Sequence, residues 1–291
     1  MKPSFAIVGC GRVGTALAKY LKEAGYTPSG FASKSLLSAK KAAEIIGIKD
    51  FGDVPWEITK KADIVFITTP DGAIEDTCNS IAENNGFCEN TVVLHCSGAL
   101  PSTILKSANR IGASTGSMHP LQSFAASKGE ENPFYGIVIS VEGENNAVDK
   151  AEQMATDLGA TCFKIKTEAK TFYHASAVVA SNYLVTLLDL AFRLIEAAGV
   201  SGTDAIKVLK PLIEGTLSNI ENVGISKALT GPIARGDVQT VERHLDEIGS
   251  QTPALLPLYK TLGFHTVDIA DAMGTLSSAA AQKLKNLTDD G

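Results

Sequence analysis

Six residues near the N-terminus, Gly9-Cys10-Gly11-Arg12-Val13-Gly14, constrain the fold more than any other feature of the chain. They follow a short apolar run at 5–8 and open an amphipathic stretch at 13–24. A strand that passes into a helix across G-x-G-x-x-G has the form of a dinucleotide-binding βαβ unit. The first glycine permits a tight turn, the second lets backbone approach a pyrophosphate, and the third lets helix and strand pack closely. The helix N-terminus adds positive potential for the phosphates. The alternative is a structural glycine turn in some other α/β protein.

The rest of the first half repeats this alternation. Short apolar runs at 30–32, 64–68, 92–95, 114–118, 137–141 and 162–165 are separated by helical patterns such as 36–46, 73–83 and 145–158. Strands alternating with helices predict an α/β domain, a Rossmann-type doubly wound parallel sheet covered on both faces. After about residue 166 the texture changes. Residues 168–198 contain almost no helix breaker and predict one helix of roughly 45 Å, ending at Gly199. More helical segments follow and no run of strands. The expected organisation is a cofactor domain at 1–165 and an all-helical substrate and dimerisation domain at 166–291.

An NAD site expects an acidic residue at the end of the second strand, about 20 residues beyond the glycines. Here that strand ends Ser33-Lys34-Ser35. A cation between two hydroxyls suits a 2′-phosphate, so NADP(H) is expected over NAD(H). Ser35 also suits a helix cap, and Lys34 a solvated position. Thr69-Pro70-Asp71 and Cys96-Ser97-Gly98 each follow a strand, where ligands of doubly wound sheets bind. Asp71 is equally suited to capping the next helix. The expected cofactor-binding residues are Gly9, Gly11, Arg12, Val13, Gly14, Ser33, Lys34, Ser35, Thr69, Pro70 and Asp71.

Histidine is the side chain best placed for proton transfer near neutral pH. Of the five, His265 reads as structural, His244 as solvated or at an interface, and His95 as a core histidine within an apolar run. His119 ends a strand before Pro120, which cannot continue the ladder, so its imidazole is expected at the ligand-binding edge. The bland alternative is a strand-end histidine bonded to backbone. His174 lies on the long helix, with Ser181 about 20° and Asn182 about 80° away in α-helical projection. Polar groups in so apolar a stretch meet either a ligand or a buried interface. Arg235 is a candidate anchor for a substrate carboxylate, or a loop ion pair with Asp237.

Four motifs carry a family resemblance: GCGRVG, SMHPLQSF at 117–124, FYHASAVVASNYL at 172–184, and TGPIARGD with TVERHL at 230–245. Together they resemble, over essentially the whole chain, a bacterial family that pairs a Rossmann-like NADP-oxidoreductase domain with a helical C-terminal domain of unassigned function. The layout is similar to the 6-phosphogluconate dehydrogenase-like superfamily. Its prephenate dehydrogenases use a histidine from a His-Pro strand end, which implies a role for His119, assisted by Ser97. Its β-hydroxyacid dehydrogenases carry Lys-x-x-x-Asn on the long helix. Matching that asparagine to Asn182 puts Val178 where the lysine would stand.

These readings imply an NADP(H)-dependent oxidoreductase acting on a small, anionic keto acid, hydroxy acid or imine. His119, Ser97, Asn182 and His174 are the candidate catalytic set and Arg235 the substrate anchor. The other class of reading is an NADP(H)-binding regulatory or scaffold protein without turnover. The net charge of −6, with no basic half and no basic run, argues against a nucleic-acid partner and an electrostatic membrane anchor. Five scattered cysteines without a CxxC pair argue against a disulfide framework and a zinc site, and fit a cytoplasmic protein. No uninterrupted apolar stretch approaches ~18 residues, so no membrane span is expected. The long helix is expected to form a homodimer.

Overall fold

The computed structural model describes residues 2–124, 131–274 and 276–289. They form two compact units, Met1–Ser181 and Asn182–Gly291.

The first unit opens β1 (Ser4–Val8), α1 (Arg12–Glu23), β2 (Thr27–Ala32), α2 (Leu36–Ile46), β3 (Phe51–Gly52), α3 (Pro55–Thr59), β4 (Ile64–Ile67), α4 (Asp71–Glu83) and β5 (Val92–His95). It continues with α5 (Lys106–Asn109), β6 (Ser114–Pro120), β7 (Val138–Gly143), α6 (Asn145–Asp157) and β8 (Thr161–Lys164). The eight strands make one sheet in the order β3-β2-β1-β4-β5-β6-β7-β8. Strand β1 is central and buried on both faces, hence its nearly continuous apolar run. Phe5 and Ile7 pack with Leu17 and Leu21 of α1, whereas Ala6 and Val8 pack on the other face with Ile74, Cys78 and Ile81 of α4. Each fully buried Phe, Ile or Leu among them contributes about 1.5–3 kcal/mol.

The sheet departs from the expected parallel arrangement at one pairing. β7 lies antiparallel to β6, with His119 opposite Ser140 and Ser117 opposite Glu142. The chain leaves β6 and re-enters β7 at the same end of the sheet, so the second strand must run back. This neighbour carries β6 through Pro120, one residue further than the proline suggests and two beyond the apolar run.

The expected unbroken α-helix at 168–198 is a composite. A 3-10 turn at Thr167–Ala169 leads into α7 (Lys170–Val178), then a π-helical turn at Val179–Tyr183, then α8 (Leu184–Ala197). Ser181 and Asn182 lie in the π turn, where i→i+5 bonding changes the phase. The α-helical projection relating them to His174 therefore does not hold. By length and composition the run Thr167–Ala197 could cross a membrane. The mean hydropathy of its most apolar window is 1.6, and 6% of that window is buried.

The second unit adds α9 (Gly202–Val223), α10 (Ile225–Ala228), α11 (Val238–Gln251), α12 (Leu256–Ala272) and α13 (Ser278–Thr288) to α8. Its cores are small. Val241, Leu245, Val267 and Leu284 form one, and Leu190, Ile248 and Leu255 another. The loop before α11 is explained by its cap, because Asp237 accepts from the Thr240 amide at 3.1 Å. All five cysteines are free thiols.

Candidate active site

The glycine loop is built as its spacing implies. Gly9 has φ +107°, and a Cβ there would meet the Thr68 carbonyl carbon and Thr69 nitrogen at 2.6 Å. A Cβ on Gly14 would strike the Gly9 carbonyl, the Thr68 hydroxyl and Ile7. These two glycines are required by the close approach of β1, α1 and the turn after β4. Gly11 is different, because a Cβ there meets nothing within 4 Å. It caps α1 without a side-chain bond, leaving the first amides of a twelve-residue helix facing a cavity of about 1130 Å³.

Gly9, Gly11, Arg12, Val13, Ser33, Lys34, Thr69 and Pro70 line this cavity, together with Trp56, Asp53 and Asp76, which sequence reasoning did not single out. Gly14, Ser35 and Asp71 do not line it. Gly14 sits behind the turn. Ser35 takes its bland alternative and caps α2, accepting from the Ser38 amide at 3.3 Å. Asp71 is the first residue of α4, and its side chain makes no cap bond. The open helix N-terminus, the hydroxyl of Ser33 and the exposed Lys34 form a donor set that fits a dinucleotide carrying an extra phosphate.

A second group of polar side chains lies along the same sheet edge, beyond β5 and β6. β5 is hydrogen-bonded to β4, with Ile67 opposite His95, and β6 follows with Ser117 opposite His95. His119 is half-buried, and its Nδ1 lies 2.9 Å from the Tyr173 hydroxyl. Tyr173 is in turn stacked edge-on against Phe163, with ring centroids 5.8 Å apart. The partner of His119 is thus a side chain from α7, 54 residues away, and not backbone. His174 packs beside it with ring centroids 6.4 Å apart. Gly98 makes room for both rings. A Cβ there would come within 2.8 Å of the His119 Cε1 and Nε2 and of the His174 Cδ2.

Burial, reinforced by the charge of Lys170 and then by His174, pushes the His119 pKa down to about 4. Its imidazole is neutral at pH 7. Burial pushes the Tyr173 pKa up, so the phenol keeps its proton. Ser97 is buried, and its hydroxyl oxygen accepts from the amides of Ala99 and Leu100 at 3.2 and 3.1 Å. That oxygen holds the loop after β5, which leaves it less available to His119 than expected.

Lys170, the first residue of α7, is 1% exposed. Its Nζ donates to the Ser97 carbonyl at 2.6 Å and to the Ser117 Oγ at 2.7 Å. It stands one turn before His174, so a lysine is present on this helix, eight residues before the position that the Asn182 alignment inspected. Sequence reasoning missed both Lys170 and Tyr173. Their one signal was the surrounding pattern, Lys170-x-x-Tyr173-His174, in an otherwise apolar run. Asn182 and Arg235 belong to the second unit, where both are exposed. Among the described residues Arg235 makes no ion pair with Asp237, whose carboxylate serves Thr240.

Comparison with known proteins agrees with this architecture. A Rossmann-like domain matches residues 2–120, and a domain of unknown function (DUF2520) matches residues 137–266. No curated protein matches the chain in sequence. Among solved structures, a candidate NADP oxidoreductase from Bacteroides fragilis superposes with a TM-score of 0.71 at 23% identity, covering 90% of this chain and 96% of its own. A protein from Thermotoga maritima does so with 0.68 at 26% identity, covering 92% and 99%. An imine reductase from a Pseudomonas species gives 0.67 at 18% identity, covering 99% and 100%. The two matched stretches together make this chain one of the proteins that join a Rossmann-like domain to DUF2520.

Proposed function

We propose that the chain is an NADP(H)-dependent oxidoreductase that moves a hydride to or from a small, anionic metabolite of the keto-acid, hydroxy-acid or imine type. The carrying observation is an adjacency along one sheet edge. The open glycine loop and its cavity follow β1 and β4, and a neutral imidazole bonded to a tyrosine follows the neighbouring strands. The NADP oxidoreductase and imine reductase among the similar structures support the same reading.

Bound NADP(H) would supply the hydride chemistry. The α1 N-terminus over Gly11 would hold its pyrophosphate, and Ser33 with Lys34 its 2′-phosphate. His119 serves in either tautomer. With its proton on Nε2 and Tyr173 donating to Nδ1, it hydrogen-bonds and polarises a carbonyl or imine. With Nδ1–H donating to the Tyr173 oxygen, Nε2 accepts the proton of an alcohol. The missing Cβ of Gly98 leaves room at that edge of the ring, where His174 also lies.

The helical unit is proposed to pair with a second copy. Val185 and Leu212 are each 68% exposed and Ile225 64%, more apolar surface than a solvated helix face ordinarily carries. The five free thiols support a cytoplasmic setting.

The test is NADPH oxidation against a panel of keto acids and imines, with NADP⁺ reduction against the matching alcohols and amines. His119→Asn should lower kcat by about 10²–10⁴-fold while the NADPH Kd stays the same. Turnover that survives in His119→Asn, or no turnover across the panel by the wild type, would sink the assignment.

A further inference from the structure

A buried ammonium with no carboxylate beside it is the least expected feature of the first unit. Lys170 is 1% exposed, and among the described residues no carboxylate lies within ion-pair distance of it. Glu142, the carboxylate that acts on it most strongly through space, is itself buried and engaged elsewhere. Its carboxylate accepts from the Ser102 amide and hydroxyl and from the Thr167 hydroxyl, each at 2.8 Å. Burying a charge is expensive unless it is paired, so a lysine that served only to tie two segments together would be a poor choice. A neutral amide could make the same two bonds at lower cost. What a neutral side chain cannot supply is the field of the charge.

Resting on the oxidoreductase reading, we propose that Lys170 is a positioning residue of the proton-transfer site. Its ammonium fixes the loop after β5 against β6, and its charge adds to burial in keeping the neighbouring imidazoles neutral.

The geometry places it for both tasks. One bond ends on the Ser97 carbonyl, one residue before Gly98, whose contact sets the clearance of His119 and His174. The other ends on Ser117, two residues before His119 and so on the same face of β6. His95 lies directly between these anchors. It is opposite Ser117 in the ladder, and its Nδ1 accepts from the Ser97 amide at 3.1 Å. The groups that face the ammonium are His95 and Cys96 from β5 and its loop, His119 from β6, Glu142 from β7, and Asp71 from α4. Two of them are imidazoles whose protonation would set a second cation beside the first. The carboxylates of Glu142 and Asp71 act on Lys170 through space and keep it partly charged. Burial still lowers its pKa, from about 10.5 to about 8. Burial first, and the Lys170 charge after it, hold His95 at about 3 and His119 at about 4.

The experiment follows the imidazoles and Nζ by NMR titration, without turnover. In the wild type the Lys170 amine should titrate near 8, and the His119 ring signals should report that same step. Lys170→Gln keeps hydrogen-bond donors and removes the charge, whereas Lys170→Met removes both. In each, the His119 midpoint should rise by roughly one pH unit, and the acid limb of kcat/KM should move up with it. Lys170→Arg, which keeps the charge, should hold the midpoint low. If Lys170→Gln folds with an unshifted His119 midpoint, Lys170 is merely structural and the proposal is wrong. Should the variants not fold, a wild-type His119 titrating at the ordinary histidine value would overturn it alone. The two readings fail separately. Turnover surviving in His119→Asn ends the assignment of His119 but leaves the measured coupling in place. Uncoupled titrations with an inactive His119→Asn end only this inference.

Discussion

The two compact units treat their apolar side chains very differently. In the first, Phe5, Phe31, Phe66 and Phe134 are fully buried between the sheet and its covering helices. In the second, the best-buried positions are few, while Val185, Leu212 and Ile225 stand in solvent. A sheet with helices on both faces closes its own core, because each strand face has a helix to meet. A small set of helices leaves outward faces, and here those faces are apolar. The first unit thus carries what it needs for folding and for a cofactor cavity. The second leaves apolar helix faces exposed.

The largest expected effect tests the self-sufficiency of the first unit. Gly14→Ala places a methyl group against the Gly9 carbonyl, the Thr68 hydroxyl and Ile7, two of them atoms of the turn that forms the cavity. Overpacking of this kind costs about 3 kcal/mol. Scanning calorimetry should show one transition shifted down and NADPH binding lost, with the transition of the helical unit unmoved. If both transitions fall together, the units unfold as one and the contrast between them is false.

An intermediate effect is expected at the cavity rim. Lys34 is exposed and lines the cavity beside Ser33. Lys34→Ala should weaken NADPH binding about tenfold, or ~1.4 kcal/mol, and leave NADH binding unchanged. Titration calorimetry with both cofactors separates the outcomes. Equal weakening of the two would make Lys34 a general rim charge and remove the basis for preferring NADP(H).

The same contrast explains what could be read in the sequence. The glycine loop was legible because Gly9, Gly11 and Gly14 fall at a fixed local spacing within one strand-turn-helix, although the atoms that crowd Gly9 and Gly14 include Thr68 of the turn after β4. His119 was legible because Pro120 marks a strand end. Lys170 was not, since its partners Ser97 and Ser117 lie 73 and 53 residues away and meet it only through the register of β5 and β6. Tyr173 was hidden for the same reason. The reversal of β7 and the π turn at Val179–Tyr183 also left no local mark. Apolar periodicity marks a strand or a helix, but not the direction of the strand or an extra residue in one helical turn.

The smallest effect bears on what covers the second unit. Gly215 lies inside α9 and is exposed, and a Cβ there meets nothing within 4 Å. On a helix face open to solvent, Gly215→Ala should stabilise the protein by roughly 0.5–1 kcal/mol, because glycine loses more backbone freedom than alanine on folding. On a face closed by a second copy, the added methyl group enters an interface where small residues let helices approach. Leu212, Leu217, Ile220 and Val223 of the same helix are each at least 38% exposed, which favours the covered face. The expected outcome is therefore a dimer that dissociates more readily, measured by sedimentation velocity over a dilution series, with helix content by circular dichroism unchanged. A melting temperature that rises equally at every concentration would mean that α9 faces solvent. The covering surface would then have to lie on α8, around Val185 and Leu187.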